Sequence, residues 1–294
     1  MSIFTGLGIA MVTPFGQNNL NATQKLLDYY GENADALIIL GTTGEASTMT
    51  ECEKTDFIKF VLNRTKLPVI VGAGSNSTYT ACKNVQKYAD LGVTASLIVT
   101  PYYNKCTQKG LIEHYQRICE VGLPIIAYNV PSRTGVNILP TTAKELADIK
   151  NLVGIKEASG NFTQMMETLR LTQGKIDLYS GDDDLALPAI LMGYKGVISV
   201  SGNIVPQILK KAINFALQGD SVNAAKYRHL LAPIHQSLFC EVNPIPIKAA
   251  LNMIDIDVGA PRLPLTEMTA ENKQILAQNL KELNILWQTF LFLE

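Results

Sequence analysis

Net charge is almost missing from this sequence: 25 Lys+Arg stand against 26 Asp+Glu, a formal charge of −1. Without a basic excess there is no bulk attraction for a polyanion, so nucleic acid is not an expected partner. Cysteine is sparse as well. Cys52, Cys82, Cys106, Cys119 and Cys240 are odd in number, scattered and never in a CxxC pair. That excludes a disulfide or zinc framework and points to reduced thiols in a cytoplasmic protein. In such a compartment the Asn-x-Ser/Thr matches, Asn161-Phe162-Thr163 among them, carry no glycosylation meaning. His114, His229 and His235 have no HExxH spacing, so no catalytic metal is expected. Apolar runs long enough to span a bilayer, roughly 18 residues, are lacking; Leu185–Tyr194 is among the longest and contains Pro188. No membrane association is expected. Nor is a secretory signal, because the first basic residue is Lys25 and Pro14 interrupts the early apolar stretch.

What is present is a rhythm. The chain is 47% hydrophobic and 17% charged, enough apolar surface to offset the entropy of ordering. Short β-branched runs alternate with segments of helical period. Strands are expected at Gly8–Thr13, Ala36–Leu40, Pro68–Gly72, Ser96–Thr100, Pro124–Tyr128, Val153–Lys156, Asp177–Tyr179 and Val197–Val200. Helices are expected near 23–33, 51–65, 78–91, 108–121, 141–149, 163–173, 183–193 and 205–219. Most strands are continuous apolar runs such as Leu37-Ile38-Ile39-Leu40, which parallel strands covered on both faces require. Eight strands and eight helices predict an α/β fold of the (β/α)8 TIM-barrel type over residues 1–220. Segments 221–241, 244–254 and 268–292 read as helical without strands, a C-terminal helical extension over 221–294. A doubly wound nucleotide-binding sheet fits poorly: after Gly72-Ala73-Gly74 the third glycine position holds Ser77, and no GxxxxGK[ST] occurs.

Barrel active sites gather at the C-terminal ends of the strands. Here those ends carry Gly41-Thr42-Thr43-Gly44-Glu45, Pro101-Tyr102-Tyr103-Asn104, Tyr128 through Gly135, Lys156-Glu157, Gly181-Asp182-Asp183 and Ser199–Asn203. Lys156 is unusual because it follows Val153-Gly154-Ile155 on an apolar strand. It either snorkels past the strand end or pairs with Glu157, or it is a desolvated amine. Bringing a lysine from ~10.4 to ~7 takes roughly 4–5 kcal/mol of differential stabilisation, and a neutral amine adds to ketones to give a Schiff base. Thr42 and Thr43 serve a βα turn or, with backbone N–H groups, a small carboxylate. Tyr102, Tyr103 and Tyr128 pack the rim or pass protons to an imine. Arg133 is a solvated loop residue or the anchor of a substrate carboxylate. Ser180 to Asp184 reads most simply as a capped, acid-rich helix start.

Colinear motifs along the chain resemble the dihydrodipicolinate synthase (4-hydroxy-tetrahydrodipicolinate synthase) family. They are GIAMVTPF at 8–15, GTTGE at 41–45, TPYYNK at 100–105, YNVPSRTG at 128–135, GIKEASG at 154–160, SGDD at 180–183, GVISV at 196–200, NPIPIKAAL at 243–251 and RLPL at 262–265. That family belongs to the pyruvate-dependent class I aldolases, which also hold N-acetylneuraminate lyase. The double threonine after Gly41 and the Arg133 turn favour the synthases. The resemblance implies a lyase of lysine and diaminopimelate biosynthesis that condenses pyruvate with aspartate β-semialdehyde. Lys156 would carry the imine, with Tyr128 as proton donor and acceptor, linked through Thr42 to Tyr103 of a neighbouring subunit. Thr43 and the backbone near Ile198 would hold pyruvate, Gly181 would line the substrate site, and Arg133 would hold the semialdehyde carboxylate. A homodimer or homotetramer is implied, with no metal or nucleotide cofactor.

The sequence also departs from the pattern of lysine-inhibited relatives. Glu51, Lys54 and Thr80 stand where histidines and a glutamate are usual, although Asn76 and Tyr102 are kept. Strong inhibition by lysine is therefore not expected, and a steep loss of activity at sub-millimolar lysine contradicts that expectation. Ala46 and Cys106 also depart from the family pattern. Two other readings compete: an aldolase of the same family that cleaves a 2-keto-3-deoxy sugar acid, and a non-catalytic barrel that binds a small carboxylate. Aldehyde preference separates the first. The second has no need of Lys156, Tyr128, Thr42, Thr43 and Tyr103 together.

Overall fold

The computed structural model describes residues 2–286. Eight strands close a parallel barrel in sequence order, β1 next to β8. They are β1 Gly6–Ala10, β2 Ala36–Ile39, β3 Val69–Gly72, β4 Ala95–Val99, β5 Ile125–Asn129, β6 Leu152–Glu157, β7 Asp177–Ser180 and β8 Gly196–Ser199. Nearly every strand residue is buried on whichever face it presents, which is why the sequence shows unbroken apolar runs instead of alternation. Ala10, Ala36, Ile38, Ile70, Leu97, Ile126 and Ile198 fill the barrel interior. Phe4 stacks on Tyr179 at 4.3 Å among them. A larger apolar layer lies between the strands and the helices.

The surrounding helices are α1 Asn19–Tyr30, α2 Glu51–Leu62, α3 Thr78–Asp90, α4 Gln108–Cys119, α5 Pro131–Thr134, α6 Pro140–Leu146, α7 Phe162–Thr172, α8 Asp183–Leu191 and α9 Pro206–Leu217. Side chains that accept from the first turn begin many of them. Thr50 and Glu53 form a reciprocal capping box at α2, and Ser77, Thr107 and Asn161 cap α3, α4 and α7. Three more helices follow the barrel: α10 Ser221–Phe239, α11 Ile245–Met253 and α12 Ala270–Glu282.

Several expected bounds shift, the first helix among them: expected near 23–33, it is Asn19–Tyr30. The first strand, expected over Gly8–Thr13, is Gly6–Ala10. Met11, Val12 and Thr13 are buried all the same, and Met11 N–H still donates to Ile38 O at 2.9 Å, but beyond it the ladder gives way: Val12 N–H donates to the Asn203 side chain at 3.2 Å, and the Thr13 hydroxyl donates to Gly44 O at 2.7 Å. A buried loop satisfied by side chains has the same apolar signature as a strand. The last helix, expected over 268–292, spans Ala270–Glu282; residues 287–292 of that expectation lie outside the described residues.

Candidate active site

Ladder register builds the centre of the site. β5 and β6 pair with Tyr128 opposite Lys156 and Asn129 opposite Glu157. Successive side chains on a strand point to opposite faces, so Tyr128 and Lys156 turn into the barrel together. Lys156 is 6% exposed. Its Nζ sits 4.3 Å from the centre of the Tyr128 ring, an arrangement in which the ring face meets the amine. Among the described residues Lys156 makes no salt bridge. Glu157 is not its partner: that carboxylate faces the outer layer, where it accepts from Asn129 Nδ2 at 3.0–3.1 Å, Ser159 N–H at 2.7 Å and Gln164 Nε2 at 3.3 Å. Gly181, at the end of β7, leaves room for the lysine stem. A Cβ there would lie 2.8 Å from Lys156 Cε, so the position tolerates no side chain without displacing the amine.

Lys156 opens into a cavity of about 350 Å³ at the C-terminal mouth of the barrel, shared with Thr42, Thr43, Tyr128, Arg133 and Gly181. Thr42 and Thr43 are placed by the turn that ends β2. Leu40 adopts φ +54°, and Gly44 N–H and Glu45 N–H return to Gly41 O and Thr42 O at 3.1 Å each. That path brings the Leu40 carbonyl against β3, where a Cβ at Gly72 would fall 2.1 Å from it; only glycine fits. Arg133 lies on α5, a single helical turn opened by Pro131 and closed by Gly135 at φ +72°. The guanidinium Nη2 donates to Asn243 O at 3.2 Å.

Two expected residues stand apart from this cavity wall. Ile198 is fully buried within β8, its side chain in the barrel core. Tyr103 is 91% exposed at φ +74° and does not line the cavity of its own chain. The acid-rich segment after β7 is a helix start: the Asp182 carboxylate caps α8 through Asp184 N–H at 2.9 Å. Asp183 Oδ2 accepts from Val200 and Ser201 N–H at 3.1 and 2.9 Å, tying α8 to the backbone just after β8. Burial, with the Asp183 charge adding to it, raises the Asp182 pKa.

A larger cavity, about 670 Å³, adjoins the first and shares Thr42, Tyr128, Arg133 and Asn243 with it. Glu51, Lys54, Thr80 and Tyr102 line it. Glu51 is engaged by Lys54 at 2.8 Å and by Lys87 at 3.1 Å, and these bonds, that to Lys54 foremost, lower its pKa.

Sequence reasoning gave no chemistry to Asn243, Gln236, Phe239 or His235, yet all four line the smaller cavity. They come from the end of α10 and the segment before α11, and no strand-end search reaches them. His235 is bonded on both sides, Nε2 to Ser201 Oγ at 3.2 Å and Nδ1 to Asp184 Oδ1 at 3.3 Å. The one available signal was the motif at 243–251.

Residues 3–283 match the sequence model of the "Dihydrodipicolinate synthetase family". A 4-hydroxy-tetrahydrodipicolinate synthase from Caldicellulosiruptor bescii is 48% identical over 292 residues, covering 97% of this chain and 99% of that protein. One from Clostridium novyi is 46% identical over 290 residues, covering 97% and 98%. Among solved structures, the chloride-inhibited dihydrodipicolinate synthase of Acinetobacter baumannii complexed with pyruvate superposes with a TM-score of 0.93 at 39% identity, covering 97% of this chain and all of that one.

Proposed function

Because the chain belongs to the dihydrodipicolinate synthetase family, we propose that it is a 4-hydroxy-tetrahydrodipicolinate synthase that works through a covalent imine on Lys156. The observation that carries this reading is a buried lysine without a carboxylate partner among the described residues, packed on a tyrosine ring at the mouth of a closed barrel. A lysine amine so placed is the nucleophile that an imine with a ketone requires.

The Lys156 amine adds to the ketone carbon of pyruvate, and loss of water gives the imine. Loss of a methyl proton gives an enamine. Its carbon attacks the aldehyde of aspartate β-semialdehyde, forming the new carbon–carbon bond. The semialdehyde amine then attacks the former ketone carbon, the ring closes, and the lysine nitrogen leaves with a proton. Tyr128, in contact with Lys156, moves the protons these steps require. Thr43 holds the keto-acid carboxylate with the backbone near Ile198, Gly181 keeps the wall open, and Arg133 holds the semialdehyde carboxylate. Thr42 links Tyr128 to Tyr103 of a second copy, so the catalytic unit is at least a homodimer. The chemistry needs neither metal nor nucleotide, and its substrates are cytoplasmic metabolites. Borohydride reduction of the protein with pyruvate tests the reading: a reduced pyruvyl adduct is expected on Lys156 by peptide mass spectrometry. An unmodified Lys156 peptide at saturating pyruvate overturns it.

A further inference from the structure

Asn243 stands between the two groups proposed to hold carboxylates. Its backbone carbonyl accepts from Arg133 Nη2 at 3.2 Å, and its side-chain Nδ2 donates to Thr43 Oγ1 at 3.0 Å. Asn243 is 8% exposed and Thr43 is 4% exposed, so solvent does not reorient either group freely. A threonine hydroxyl has one hydrogen and two acceptor positions. Because the amide N–H occupies one acceptor position, the hydroxyl hydrogen points elsewhere. Among the described residues that hydrogen has no protein acceptor, and Thr43 lines the same cavity as Lys156. The carbonyl end of the Asn243 amide has no hydrogen-bond partner among the described residues either, so among them its side chain bonds to Thr43 alone.

We infer that Asn243 is a positioning residue that acts through Thr43: its amide sets the threonine hydroxyl as a donor toward the keto-acid carboxylate. This rests on the proposed function. With asparagine at 243 the donor order runs amide to hydroxyl to carboxylate. With aspartate, which has no N–H to give, the hydroxyl hydrogen turns to the new carboxylate and the substrate carboxylate meets lone pairs. A hydrogen bond to a charged group is then lost, an effect of about 10- to 100-fold.

The test is the pyruvate concentration that gives half-maximal borohydride trapping on Lys156 in wild type, Asn243→Asp, Thr43→Val and the double variant. Asn243→Asp is expected to raise that concentration about 10- to 100-fold, with turnover at saturating pyruvate changed less than about threefold. The double variant is expected to be no worse than Thr43→Val alone, because both changes remove one chain of bonds. Unchanged half-saturation in Asn243→Asp, or additive defects in the double variant, overturns the inference. If Asn243→Asp fails to fold, Asn243→Leu, which likewise has no hydrogen to donate to Thr43, carries the same comparison. No trapping in wild type at any pyruvate concentration would instead defeat the proposed function.

Discussion

Lys248 Nζ lies 2.8 Å from Glu45 Oε1, with both side chains no more than 2% exposed. The pair joins the turn after β2 to α11, and its surroundings complete it. Glu45 Oε2 accepts from Arg262 N–H at 2.8 Å, Lys248 donates to Ala260 O at 3.2 Å, and the Lys248 ammonium and the Arg262 guanidinium both lie over the Phe15 ring. Three of the sequence motifs, at 41–45, 243–251 and 262–265, are thus clasped by one carboxylate. Burial pulls the Lys248 pKa down, and Glu45 opposes that shift. Removing one partner of such a pair strands the other charge. Glu45→Gln is expected to cost about 3–5 kcal/mol in urea denaturation. Glu45→Gln with Lys248→Met should recover part of that loss, and a loss under 1 kcal/mol for the single change would contradict this account.

His114 gives a pH dependence of stability. It is buried on α4, its Nδ1 bonded to the Thr78 hydroxyl at 2.9 Å and its Nε2 without a partner among the described residues. Burial lowers its pKa from 6.5 to about 4. The unfolded chain therefore binds a proton between those values that the folded chain does not, and stability falls as pH drops through that window. The full drop corresponds to about 3 kcal/mol. His114→Asn should flatten the slope of unfolding free energy between pH 6.5 and 4, whatever it does to the value at pH 7. An unchanged slope counts against the assignment.

Tyr128 and Arg133 should separate kinetically. Tyr128→Phe leaves Lys156 free to bind pyruvate but removes a proton carrier, so kcat should fall about 10²- to 10⁴-fold with trapping at saturating pyruvate retained. Arg133→Ala should instead raise KM for the semialdehyde about 10- to 100-fold. Steady-state kinetics with each substrate varied decides it. Equal defects toward both substrates in both variants would remove the division of roles.

Tyr103 is exposed and does not line its own chain's cavity, so its proposed role requires another copy. Lys156→Ala and Tyr103→Phe should each be nearly inactive alone. Mixed and reassembled, they create sites with Lys156 from one chain and Tyr103 from the other, and activity should return to roughly a quarter of wild type for random two-fold pairing. Continued inactivity, with mixed dimers demonstrated by mass, would show that Tyr103 does not act across chains.

The barrel was legible because most strands are buried on both faces and read, like Leu37 to Leu40, as short apolar runs. Lys156, Tyr128, Thr42, Thr43, Arg133 and Gly181 were legible as strand-end residues, and the fold brings these six to one cavity. What was not legible depends on tertiary closure. Asn243 and Phe239 follow the barrel in sequence and reach its mouth only because α10 and α11 fold back over it. The choice between Glu157 and solvent as the neighbour of Lys156 also needed the structure. The amide and backbone donors around Glu157 lie on the outer face, and no local pattern announces them.

The pairing of Tyr128 with Lys156 and of Asn129 with Glu157 makes the identity of the reactive group a matter of parity. A single-residue deletion early in β6 would turn every side chain of that strand through to the other face. A carboxylate would then enter the barrel and an amine would enter the polar cluster of Asn129 and Gln164. The same composition, one step out of phase, would keep the barrel and lose the nucleophile.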